Sequence, residues 1–157
     1  MPKVSATIEV DAAPEAVFDF LADYRNIPKL QPHFESAKLA GEIERGLGAV
    51  MELRGSFHGL PLHTRERIVA FAPPYRLVSI GDGMILSRTT WELRPLENRG
   101  EQDKPLTTAS VQVEYKAGGP MGGVLTGWAI SLFHKEIQEM TDESLRRLRA
   151  CFVEGAE

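Results

Sequence analysis

The sequence predicts an α+β protein: a seven-stranded antiparallel sheet curved around a long C-terminal helix, with two short helices between strands 1 and 2. Three observations carry the prediction. From Phe34 to Tyr115 the chain is a succession of alternating apolar and polar segments, broken at short intervals by Gly and Pro, as in an antiparallel meander. From Val124 to Phe152 there is no Pro and only one Gly, Gly127. Within that stretch Ile130, Phe133, Ile137, Met140, Leu148 and Cys151 keep helical spacing, with Ser144 in the place the stripe skips. Finally, a sheet with one apolar face needs a cover, and only this helix is long enough to provide it.

Taken in order, Val4–Val10 alternates as a half-buried strand. Pro14, near a first helical position and followed by Glu15, starts a helix that runs to about Tyr24. Pro28 and Pro32 confine a second short helix to Ile27–Leu30, because an interior helical turn does not tolerate proline. Further strands are expected at Ser36–Glu42, Ala49–Phe57, Leu62–Phe71, Tyr75–Gly81, Ile85–Arg94 and Thr107–Lys116. The loop from Pro95 to Pro105 is a solvated hairpin tip, polar throughout from Glu97 to Lys104.

Alternation also sorts the faces. Met51, Leu53, Gly55 and Phe57 share one side, as do Ile85, Ser87, Thr89, Trp91 and Leu93, and likewise Ala109, Val111, Val113 and Tyr115. The opposite positions hold Glu52, Arg54, Arg88, Glu92, Gln112 and Glu114, so one side of the sheet is wet. A twisted sheet closing on a helix leaves space wherever the inward residues are small.

Composition narrows the function. The chain has 157 residues, 43% hydrophobic and 25% charged, which suits one domain over residues 1–157 with a real core. A net charge of -4, with basic residues interleaved among acidic ones, argues against nucleic acid as a partner. No apolar window suits a signal peptide or membrane insertion, so a soluble, cytoplasmic protein is expected. Cys151 is the only cysteine; its place on the stripe predicts a buried structural thiol. Oligomeric state leaves no mark in the sequence.

The segment Val10-Asp11-Ala12-Ala13-Pro14-Glu15-Ala16-Val17-Phe18-Asp19-Phe20-Leu21-Ala22-Asp23-Tyr24, then Pro28 to Pro32, then Pro73-Pro74-Tyr75-Arg76-Leu77, resembles the START-related superfamily, the SRPBCC or polyketide cyclase/dehydrase-like proteins of helix-grip fold. The likeness covers the whole chain. It implies a deep apolar cavity between sheet and long helix, with access near the helical elbow, the hairpin tips and the Gly-rich run before the last helix. It transfers no catalytic motif, because the superfamily includes both carriers and enzymes.

Gly118-Gly119-Pro120-Met121-Gly122-Gly123 lacks the Lys-Ser/Thr of a P-loop and follows the last strand of a meander, so it reads as a cavity rim or a plain connector. His33, His58, His63 and His134 show no metal-ligand spacing; no metal and no cofactor are expected. Glu66 is the sharper candidate. If Leu62, Thr64, Ile68 and Ala70 face inward, so does Glu66, and a desolvated carboxyl there could act as general acid or base with Tyr115 or His63. A bulge turning it outward, or pairing with Arg65, Arg67 or Arg88, is the alternative. Ligand contacts are expected from Phe57, Thr64, Ser79, Ser87, Thr89, Trp91 and Val113 on the sheet, and from Met121, Leu125, Trp128 and Leu132 at the helix. The leading function is binding or transport of a small hydrophobic molecule of lipid, polyketide or isoprenoid type; the alternative is a cyclase/aromatase-like enzyme.

Overall fold

The computed structural model describes residues 2–57, 59–83, 85–96, 106–117 and 127–152, with side chains for all of these except 60, 117 and 127–133. Strand β1 (Lys3–Val10) leads into α1 (Pro14–Ala22), a single 3-10 turn (Tyr24–Asn26) and α2 (Ile27–Leu30). Six strands follow: β2 (Phe34–Leu39), β3 (Val50–Phe57), β4 (Leu60–Ala72), β5 (Arg76–Asp82), β6 (Ile85–Pro95) and β7 (Thr107–Ala117). Helix α3 (Gly127–Ala150) ends the described chain. The seven strands form one sheet in the order β1-β7-β6-β5-β4-β3-β2. The elbow of short helices thus carries the chain from one edge to the other, and the meander walks back until β7 pairs with β1. Every pairing is antiparallel.

Local chemistry sets the boundaries. Pro14 opens α1 at a position whose N–H would have no helical partner anyway. The helix stops at Ala22, short of the expected Tyr24. Asp23 leaves the helical region, and its carboxylate accepts from the Arg25 backbone N–H at 3.0 Å and from the guanidinium at 2.9 and 2.7 Å. At the far edge, β2 begins at Phe34, where Ser56 N–H donates to the His33 carbonyl at 3.0 Å. Gly55 permits this approach, because a Cβ there would overlap the His33 carbonyl oxygen and stand 2.7 Å from the Phe34 Cα.

The core fills one end of the concave face. Leu77, Trp91 and Val111 form one cross-strand row and Leu93 and Ala109 the next, all buried. Val17 and Phe18 of α1 close this end with Leu145 and Leu148 of α3, and the Phe18 ring meets Phe71 edge-on at 5.2 Å. Helix α3 leans toward the β1 edge, where Gln138 Nε2 donates to the Ser5 carbonyl at 3.3 Å. Cys151 is exposed, which corrects the expectation of a buried thiol. The helix ends at Ala150, so the stripe's periodicity no longer governs residue 151; the next side chain, Phe152, packs on Phe20 at 5.6 Å instead. Among the described residues no helix is long and apolar enough to cross a membrane. The Gly-rich run, residues 97–105 of the hairpin loop and His58 lie outside the described residues.

Candidate functional site

Toward the other end of the concave face the inward rows change character. Glu66 pairs with Gly81, Gly81 with Ser87, and Ser87 with Tyr115; beside them Ile68 pairs with Ser79, Ser79 with Thr89, and Thr89 with Val113. Small and hydroxylated side chains replace the Leu and Trp of the neighbouring rows, and the gap up to α3 stays open. The result is a cavity of about 170 Å³ whose sheet wall includes Phe57, Thr64, Glu66, Ser87, Thr89, Trp91, Val113 and Tyr115. Ile137, Met140, Thr141 and Ser144 of α3 form the facing wall, one helical face by their spacing. A larger hollow of about 670 Å³ beside Arg65, Arg67 and Arg88 lies on the sheet's charged outer side; its walls are not the apolar enclosure a small ligand needs.

Glu66 does face inward. The irregularity in β4 falls between Ile68 and Ala70, beyond Glu66, so it leaves the carboxyl in place and turns Phe71, not Ala70, into the core. The part of Glu66 that remains accessible borders the cavity, while protein surrounds the rest. Burial raises its pKa, and a hydrogen bond donated by Ser79 Oγ at 2.7 Å pulls the other way to a lesser extent. Ser79 thus stands behind the carboxyl and holds it; it is not a wall residue. Arg65 and Arg67 occupy the opposite face of the strand, and Arg65 pairs with Glu52 at 3.1 Å.

The expected partners of Glu66 are not brought to it. His63 lies an odd number of residues from Glu66 on an unbulged stretch, so it is exposed on the outer face, across from Arg54. Tyr115 lines the cavity in the row of Glu66, but its hydroxyl is 2.6 Å from His134 Nδ1, tying β7 to α3. Burial raises the Tyr115 pKa. Met121 and Leu125 lie outside the described residues; Trp128 and Leu132 fall in α3, with their side chains outside that description.

Several wall residues escaped the sequence reading. Gln31 and His33 come from the segment between α2 and β2, and burial pushes the His33 imidazole down to about 4. Its ring rests on Phe34 with centroids 4.4 Å apart. Thr141 and Ser144 donate their hydroxyls to the Ile137 and Met140 carbonyls at 2.7 and 3.0 Å, which satisfies them on an apolar face. Ser144, a hydroxyl in the middle of the helical stripe, was the available signal. Outside the cavity a depression of about 350 Å³ shares Gln31, His33, Phe57 and Met140 with it, so these residues mark the neck. Three α3 carboxylates, Glu136, Glu139 and Glu143, border that depression. Among the described residues no group of three or more His, Cys, Asp and Glu side chains could hold a metal ion.

A curved seven-stranded sheet gripping a terminal helix over a ligand-sized hollow defines a START-like protein of helix-grip fold. Residues 1–151 match the family described as polyketide cyclase/dehydrase and lipid transport, and the chain belongs to that family. Solved structures of the same shape include a START superfamily protein from Mycobacterium smegmatis, with a TM-score of 0.72 and 16% identity over 96% of this chain and 99% of that one. The Zhui aromatase/cyclase from Streptomyces sp. R1128 has a TM-score of 0.68 and 17% identity over 94% and 90%. A protein from Thermus thermophilus has a TM-score of 0.67 and 17% identity over 97% and 100%. At these identities the likeness is one of fold. No curated protein matches the chain significantly.

Proposed function

We propose that this protein binds and carries a small hydrophobic molecule, of lipid, polyketide or isoprenoid type, in the cavity between the sheet and α3, as a soluble protein of the cytoplasm. The observation that carries the reading is the hollow itself: side chains that could have filled it are replaced by Ser87 and Thr89, while the walls stay largely apolar. Burying apolar ligand surface at roughly 25 cal/mol per Å² provides affinity with no reactive group. The volume, near the ~150 Å³ of an apolar cavity that holds benzene, suits one or two small rings or a short chain. A longer chain would extend through the neck at Gln31 and His33.

Native mass spectrometry of the protein as purified tests this. A single apolar adduct, lost on solvent extraction and competing with an added apolar probe, is the expected result. A protein that carries nothing and takes up no probe would overturn the proposal.

A second reading, a cyclase/aromatase-like enzyme, is favoured by one feature, a desolvated carboxyl facing the hollow. With Tyr115 bonded to His134 and His63 on the outer face, Glu66 is the carboxyl placed to move the proton. Glu66→Gln is then expected to cut turnover of a poly-β-ketone thioester by ~100-fold or more while leaving its binding intact. Unchanged turnover removes Glu66 from the chemistry.

A further inference from the structure

We infer that the molecule this cavity takes carries a basic nitrogen on its apolar body, held as an ammonium by the Glu66 carboxylate. The inference rests on the cavity-binding reading above and names the class of occupant. Its starting point is the charge inventory of the walls. Glu66 borders the cavity with Ser79 as its hydrogen-bond partner and, among the described residues, with no cation within ion-pairing distance. No Lys or Arg lines the cavity among the described residues, and His33 stays neutral down to acidic pH. A carboxylate or phosphate ligand would therefore enter a low-dielectric space that offers no counter-charge.

Two hydroxyls on the helix wall point the same way. Thr141 and Ser144 have spent their donors on α3 carbonyls, so what they offer a ligand is lone pairs. On the sheet side, the Ser87 hydroxyl and the Thr64 methyl meet over Gly81, the cross-strand partner of Glu66. A Cβ on Gly81 would lie 2.7 Å from Ser87 Oγ and 3.3 Å from Thr64 Cγ2. A carboxylate with a hydroxyl oxygen on the neighbouring strand suits a group with several donors, and an ammonium has up to three. An ammonium supplies Glu66 with the counter-charge that the protein withholds, and an opposite charge beside a buried carboxyl favours its ionised form.

Three indoles, the first two isosteric, test this by calorimetry on the full chain near neutral pH: tryptamine (cationic), 3-propylindole (neutral) and indole-3-propionate (anionic). Tryptamine is expected to bind about tenfold or more tighter than 3-propylindole, with indole-3-propionate weakest. Glu66→Gln should erase the tryptamine advantage and leave 3-propylindole within about threefold of the unsubstituted protein. If Gln does not fold, Glu66→Asp, which withdraws the carboxylate by one methylene, should reduce the advantage in the same direction. Binding of 3-propylindole as tight as tryptamine overturns this inference and leaves the carrier reading standing. A tryptamine preference that survives Glu66→Gln removes Glu66 as the anchor, and no binding by any of the three overturns both readings.

Discussion

Glu66 and His33 face the same cavity, and burial drives each toward its neutral form, with opposite consequences for stability. The His33 pKa falls from 6.5 to about 4, so its contribution is whole above 6.5 and is lost as the pH drops toward 4 and only the unfolded chain takes up the proton. That loss amounts to roughly 3 kcal/mol at most. The Glu66 pKa is raised from 4.5, so its contribution is whole below that value and is lost as the pH rises through the folded pKa. Urea titrations from about pH 4 to 8 should therefore show Glu66→Gln gaining stability over the unsubstituted protein as the pH rises, by at most ~1.4 kcal/mol per pH unit. The two should converge near the acid end, and His33→Gln should flatten the acid-side loss. A constant difference between Glu66→Gln and the parent would show that the carboxyl is not desolvated. Strand alternation alone placed Glu66 inward. The same parity, applied to His63, would have put it outside. The Tyr115–His134 bond joins residues 19 apart across a segment no pattern registers, so it was not legible.

At the scale of elements, the neck depends on how the elbow meets β3. Gln31 and His33 reach the cavity because the chain entering β2 lies directly on Gly55. Gly55→Ala should push that segment away, break the bond from Ser56 N–H to the His33 carbonyl and destabilise the protein by roughly 2 kcal/mol or more in urea denaturation. Apolar probes should leave faster through the widened neck. A neutral Gly55→Ala would mean that the contact is readily relieved. The strands and the elbow were readable within a few residues because alternation and proline act locally. The positions of Asp23 and Cys151 were not: one is set by a side chain capping its own turn, the other by where a helix stops.

For the molecule as a whole, the cavity is an exchange of packing for room. Thr89→Leu adds bulk at the centre of the sheet wall and should leave unfolding stability within ~1.5 kcal/mol while abolishing uptake of 3-propylindole. In the unsubstituted protein the same probe at a hundred times its dissociation constant should stabilise by about 2.7 kcal/mol, a melting shift of roughly 5–10 °C for a domain of this length. A similar shift in Thr89→Leu would place the probe elsewhere.

The seven-strand and long-helix plan, the wet and apolar faces and the inward side of Glu66 are all written in the order of residues, because each follows from a period of two or 3.6 residues and from local breakers. Other features emerge only on folding: the hollow that persists over Ser87 and Thr89, the elbow that forms its neck, and the turn of Tyr115 toward His134. Those outcomes depend on how closely a curved sheet and a helix approach, a distance fixed by all the contacts together and by no single stretch of chain.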